Sequence, residues 1–298
     1  MIDFSPENEN RIEFRSMTTP LTGFKYRTPS AALRCLAEGT LYFAKPSELN
    51  DTLEAKYDHA TPEDFSRVMA QTYSEISQQR GGPVLDFAQR GMAEMAEAHA
   101  RECQRLQAFT EQIGIFSAAQ RPDHQAMWAY YADNASGVCF ELEWSQEIVD
   151  RHQLCATDVQ YHGEARVHNR AEDWRHVFLE LAQEHPDASL DALHQLSLEE
   201  EVRREWGCRA ATRAASIKHT DWSHEKEIRL LASKSGALPV LGEVLKRVHL
   251  SRTDGEHWGA IMQLLRAYYP NVKTMHWQFS HGELSAIPTP MEFRLIPS

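Results

Sequence analysis

Apolar residues run together or alternate with polar ones over short stretches at 23–27, 40–44, 113–118, 138–143, 159–161, 227–232, 244–250, 272–279 and 291–295, and these stretches predict strands. Between them, apolar residues recur at helical intervals over 31–37, 62–79, 84–112, 123–131, 172–215 and 255–268. Thr28-Pro29-Ser30 opens the first helix and Gly39 closes it, so 23–44 forms a compact strand–helix–strand unit. Gly81-Gly82-Pro83 separates two arms of a helical hairpin over 61–112, inserted between parts of a sheet. The second helical segment, 172–215, is broken at 186–190, where Ser189 and Asp191 can supply caps. Strands come singly or in pairs rather than in regular βα alternation. The pattern predicts an α+β fold, a central mixed or antiparallel sheet with helical insertions, in a single domain over 1–298.

Composition narrows the function classes. The chain has 298 residues, 42% of them hydrophobic, which is ample for a core, and a formal net charge of −12, which argues against a broad nucleic-acid footprint. No stretch approaches the apolar length of a membrane span, and no apolar run follows a basic start, so a soluble, cytoplasmic protein with no membrane partner is expected. The five cysteines are scattered without a CxxC pair, and the fifteen histidines form neither HxH nor HExxH, so no metal is expected. GxGxxG, GxxxxGK[ST] and GxSxG are all absent.

The candidate chemistry centres on Trp222-Ser-His-Glu-Lys-Glu-Ile-Arg229. In a strand, Glu225 and Glu227 share a face, a spacing at which like charges repel unless a cation or a proton sits between them. Such carboxylates suit oxocarbenium-forming chemistry, one holding a sugar hydroxyl and the other steadying developing positive charge. The plain alternative is a solvated edge strand. Lys25-Tyr26-Arg27 ends a strand at a helix N-terminus, where Arg27 can grip a pyrophosphate or carboxylate or merely cap an exposed strand end. Tyr42 and Phe43 lead into a turn with Asn50 and Asp51; aromatics there can stack on a flat ring, while the Asn-Asp pair also reads as an Asx turn. Trp128 and Tyr131 share one face of a short helix, a face more often core than ligand platform, and His124 precedes that helix as a potential base.

In order, FKYR, LYFAKPSELND, MWAYYADNASGVCFELE and WSHEKEIRL resemble a bacterial family catalogued only as a domain of unknown function, number 2971. The likeness runs from about Phe24 to Leu250 and names no activity. More distantly, the order of a first strand ending in an aromatic and Arg, a helix, a Gly, an aromatic strand and a late Glu-x-Glu is similar to that of the mono-ADP-ribosyltransferases. That resemblance implies an ADP-ribosyltransferase-like sheet and NAD as substrate. By it Arg27 holds the dinucleotide, Tyr42 or Phe43 flanks the nicotinamide, Glu227 is catalytic and Glu225 orients a macromolecular acceptor, as in a bacterial toxin or antiphage effector; Tyr26, Asn50 and Trp128, read from their own clusters, are the further candidates for contacts to the nucleotide. The second strand departs from that family, with Ala44-Lys45-Pro46-Ser47 where it carries Ser-Thr-Ser. A non-catalytic module that binds a nucleotide or a protein, and a nuclease or hydrolase, are the competing expectations.

Overall fold

The computed structural model describes residues 19–51, 57–58, 61–80, 101, 111–163, 168–251, 257–280 and 283–288. The described residues divide into two compact units, one formed by those of 46–113 and 160–220, the other by those of 19–45, 114–159 and 221–288.

The second unit is built on an eight-stranded sheet. Its strands are β1 (Leu21–Arg27), β4 (Gly114–Ala119), β5 (Val138–Trp144), β6 (Cys155–Asp158), β10 (Glu227–Ala232), β12 (Leu245–Leu250), β13 (Lys273–Ser280) and β14 (Glu283–Pro288), in the order β14-β13-β12-β5-β1-β4-β10-β6. Only β12 and β13 pair in parallel; every other pairing in this sheet is antiparallel. The coarse expectation of an α+β fold around a mostly antiparallel sheet is met.

One sheet face carries Leu21, Phe116, Phe140, Leu142, Trp144, Leu230 and Val248, all buried. Helices α1 (Pro29–Glu38) and α9 (Trp258–Tyr268) contribute Leu36, Ile261 and Leu265 to the same core, and the Tyr269 hydroxyl donates to the Leu36 carbonyl at 2.9 Å. Helix α1 starts and stops where its sequence dictates. Thr28 Oγ1 accepts from the Ala31 amide, Pro29 takes the first turn, and Gly39 ends the helix at φ 67°. On the other sheet face, Tyr26, Ala119, Cys139 and Trp277 pack with Met127 and Trp128 of α3 (Gln125–Tyr131).

Strand β1 meets β5 over seven register pairs but β4 at only one, Phe24 opposite Ala119, whereas β4 pairs with β10 over six. At its start, β4 is held at Ile115 by Ala44, just after β2 (Leu41–Phe43); each of these two residues donates its amide to the other's carbonyl, at 2.9 and 2.7 Å.

The first unit contains α2 (Pro62–Gln79), α5 (Arg170–Glu184), α6 (Leu190–Ser197) and α7 (Glu200–Ala215). Thr61 and Asp64 form a capping box at the start of α2. Phe65, Met69, Tyr73, Trp174, Phe178, Leu193 and Trp206 share one core, with Trp174 and Phe178 stacked at 4.7 Å. Arg80 donates to the Ala182 and His185 carbonyls at 3.0 and 3.1 Å and so tethers α2 to the end of α5. The two helical segments read from the sequence as separate insertions thus contribute to one core. The second of them is three helices rather than two, because Leu198 and Glu199 interrupt it again before α7. The hairpin arm expected over 84–112 falls largely, and the strand expected over 291–295 entirely, outside the described residues. Strand β14 had no counterpart in the sequence reading.

Candidate functional site

Helix α3, β1, β4, β10 and the turn before β10 bring a cluster of charged side chains together in the sheet unit. Thr220–Glu225 is a 3-10 turn, Lys226 adopts a left-handed φ of 43°, and β10 begins only at Glu227. The strand alternation expected to align Glu225 with Glu227 therefore starts two residues too late to include Glu225. Both carboxylates are nevertheless buried, at 1% and 7% exposure, and each has its own donor. Tyr131 OH donates to Glu225 Oε1 at 2.5 Å. Arg229 donates to Glu227 Oε2 through Nε at 2.9 Å and Nη2 at 2.6 Å.

Arg229 is the cation that the sequence reading sought elsewhere. It lies two residues beyond Glu227 on the same strand, so strand alternation puts its guanidinium on the same side as the Glu227 carboxylate. It is itself only 1% exposed. A buried guanidinium requires a paired acceptor, which Glu227 supplies.

Lys25 was also missed. Its Nζ donates to the Ser117 carbonyl at 2.5 Å and stands 5.1 Å from the centre of the Phe116 ring. Burial pushes this amine down to about 7, and the neighbouring Arg27 pushes it the same way; Glu227 and Glu225 pull it back up, and Arg229 adds a smaller push down. Arg27, two residues along β1, is likewise lowered by burial, with Cys35 of α1 opposing the shift, and its buried Nε has no hydrogen-bond partner.

Two histidines flank the Glu225 side. His124, at the N-cap of α3, and His224 face each other with ring centres 5.9 Å apart, and Trp222 stacks on His224 at 6.2 Å. Burial, then His224, lowers the His124 imidazole. His124 Nδ1 and His224 Nε2 are buried without hydrogen bonds.

The other sequence-predicted residues lie as follows. Tyr26 is buried, donates to the Arg121 carbonyl at 2.9 Å and sets its ring edge-on to Trp128 at 5.2 Å; burial drives its phenol up. Trp128 is buried and donates to the Pro122 carbonyl at 2.8 Å, whereas its helix neighbour Tyr131 is the one that reaches a carboxylate. Phe43 is wholly buried and packs on Phe116 with ring centres 5.4 Å apart, while Tyr42 is 46% exposed. Asn50 is exposed and belongs to the other unit. The structure thus brings Glu225 and Glu227 together with Tyr131, Arg229 and the influence of Lys25, sets Arg27 beside Cys35 two residues along β1, and leaves Tyr42, Phe43, Asn50 and Trp128 with other surroundings.

A second polar network lies farther along the sheet. Glu141 of β5 accepts from Arg247 and pairs with His249 Nε2 at 2.8 Å, and the Trp277 indole donates to His249 Nδ1 at 3.1 Å. An indole only donates, so Nδ1 is the acceptor and the Nε2 proton belongs to the Glu141 contact. Among the described residues, no group of three or more His, Cys, Asp or Glu side chains is placed to hold a metal ion. No helix in that set is long and apolar enough to cross a membrane.

Fold and site together define an α+β protein with a buried mixed-charge cluster at the heart of its sheet unit. The family described as Protein of unknown function (DUF2971) matches residues 127–230, a span that includes Tyr131, His224, Glu225, Glu227 and Arg229 but stops short of Lys25 and Arg27. No curated protein and no solved structure matches the chain. The likeness to ADP-ribosyltransferases gains no support from these comparisons.

Proposed function

We propose that the sheet unit binds an NAD-type dinucleotide at this cluster, breaks its nicotinamide–ribose bond and passes the ADP-ribosyl group to a macromolecular acceptor, as a toxin or antiphage effector would. The observation that carries the reading is the pair of buried carboxylates, each oriented by its own donor, in one unit with the cations Lys25 and Arg27. In this reading the bonding electrons leave with nicotinamide, C1′ gains positive charge, and Glu227, fixed by Arg229, lowers the energy of that charge. The acceptor's nucleophilic atom then bonds to C1′, and its proton passes to Glu225. Arg27 faces the pyrophosphate, for which its fork geometry is suited. Removing a preorganised group of this kind costs on the order of a hundredfold or more in rate.

The test is incubation of pure protein with labelled NAD and cell lysate. Nicotinamide release and a labelled macromolecule are expected from the wild type, with a loss of about a hundredfold or more in Glu227→Gln. No release by wild type, or equal release by both proteins, overturns the proposal. One observation favours a second reading, a binding module without turnover: the Glu227 carboxylate is already engaged by Arg229. That reading predicts saturable nucleotide binding, seen as a thermal shift, with no nicotinamide released.

A further inference from the structure

His124 and His224 stand a hundred positions apart in the chain, and the fold brings their ring centres to 5.9 Å with the planes at 35°. Each leaves one ring nitrogen buried without a hydrogen bond, Nδ1 of His124 and Nε2 of His224. An unpaired buried polar atom costs free energy, so two of them on neighbouring rings invite a common partner. The tautomer of His224 says what kind of partner. Its Nδ1 lies 3.0 Å from the Asp221 carbonyl, which only accepts, so Nδ1 carries the proton and Nε2 presents a lone pair. A ring held through one nitrogen by a backbone carbonyl, with the other nitrogen bare, has the usual pose of a metal-ligating histidine. Three contacts hold the pair in place. The Gln120 amide donates to the Lys226 carbonyl at 3.0 Å, which ties the chain just before His124 to the chain just after His224. Tyr131, at the end of the helix that His124 caps, donates to Glu225, the neighbour of His224. Trp222 stacks on the His224 ring. The rings are thus set before anything binds, which spares a ligand the cost of ordering them.

We propose that His124 Nδ1 and His224 Nε2 are the two protein ligands of a divalent transition-metal ion, zinc being the type case, in a site with open coordination positions. Two imidazoles that share one zinc at about 2.0–2.1 Å from each nitrogen have ring centres roughly 5–6.5 Å apart, a range that contains the observed 5.9 Å. Among the described residues no third His, Cys, Asp or Glu completes a metal-holding group, so water or an outside ligand fills the remaining positions. Imidazole donors suit zinc, copper and nickel, whereas magnesium and calcium take oxygen. HxH and HExxH describe ligands that are close in sequence, and this pair is assembled only by the fold. The site adjoins the carboxylate cluster but takes none of its residues as a ligand, and it stands or falls independently of NAD cleavage.

The test uses the full chain without an affinity tag, stripped with a chelator and then titrated with Zn2+, Cu2+ or Mg2+. Zn2+ should bind saturably, one ion per chain, and raise the melting temperature, while Mg2+ should do neither. The electron paramagnetic resonance spectrum of the Cu2+ form should show coupling to two imidazole nitrogens. His124→Gln and His224→Gln should each remove that two-nitrogen pattern. Each should also weaken Zn2+ binding by about a hundredfold or more, since loss of a group that merely orients a ligand already costs about ten- to a hundredfold. His185→Gln, at an exposed histidine of the other unit, should leave affinity and spectrum unchanged. The wild-type spectrum needs no variant, so the inference stays testable even if a substitution prevents folding. No saturable Zn2+ binding, as a bridging water between the two rings would give, overturns it. So does a Mg2+ response equal to that of Zn2+, a Cu2+ spectrum without two nitrogens, or Zn2+ affinity unchanged in both glutamine variants.

Discussion

Arg229→Met tests whether Glu227 and Arg229 stabilise the sheet as one unit. The Arg229 side chain is 0% exposed and that of Glu227 9%, and the two bonds between them converge on one carboxylate oxygen. Removing the guanidinium takes two hydrogen bonds from a buried carboxylate, and breaking such a pair costs about 3–5 kcal/mol in comparable buried pairs. At roughly 2–4 °C per kcal/mol for a unit of this size, the melting temperature should drop by about 6–20 °C. Glu227→Leu alone should cost a similar amount, because it takes from a fully buried guanidinium the carboxylate that two of its hydrogen bonds reach. The double variant Glu227→Leu/Arg229→Met should lie within about 1–2 kcal/mol of wild type, since well-packed apolar pairs replace buried ion pairs at little cost. Urea unfolding of the four proteins gives the coupling energy directly. Single variants within about 1 kcal/mol of wild type, or a double variant as unstable as the sum of the singles, would refute the reasoning.

Lys25 gives a pH signature in stability. Its amine is lowered from 10.5 to about 7 in the folded chain, so between those values the unfolded state binds more protons and stability rises with pH, at a slope below the single-group limit of about 1.4 kcal/mol per unit. Urea midpoints from pH 7 to 9 should show that slope, and Lys25→Met should flatten it. Tyr131→Phe removes the donor to a buried carboxylate and should cost about 1.5–3 kcal/mol in the same assay; an unchanged midpoint would mean that the Glu225 contact contributes nothing. In Gly137→Ala the new Cβ would stand 2.1 Å from the Arg27 carbonyl oxygen and 3.0 Å from that of Ala132, both backbone atoms. The strain should cost about 1–3 kcal/mol or more in urea unfolding; a neutral substitution would show that β1 can give way there.

Much of the sheet was legible because its signals are local. Thr28, Pro29 and Gly39 bracket α1 by capping chemistry alone, and Glu227–Ala232 begins and ends where the apolar run does. What alternation cannot convey is where a strand starts. Lys226, at positive φ, separates Glu225 from the strand, and nothing in Glu-Lys-Glu announces it. The site was half legible for a related reason. The carboxylates stood out as like charges at close spacing, and the same rule applied one step further would have found Arg229. Lys25 and Tyr131 carry no local signal: Lys25 is defined by a carbonyl 92 positions away, and Tyr131 by a carboxylate 94 positions away. Tyr42 and Phe43 show the opposite failure, since adjacent aromatics on one strand must point to opposite sides and only one of them can face any given ligand.

The paired amides of Ala44 and Ile115 clamp the chain where it first leaves the sheet unit and first returns to it. Everything between those points is, for the sheet, a closed loop whose ends are already joined, and doubling the length of such a loop costs only about 0.6 kcal/mol of closure entropy. The clamp therefore makes the sheet tolerant of large changes in what hangs from it. Changes of length in the 46–113 excursion should therefore cost the sheet little, provided that Ala44 and Ile115 still meet and that Phe65, Met69 and Tyr73 keep the core they share with Trp174, Phe178 and Trp206.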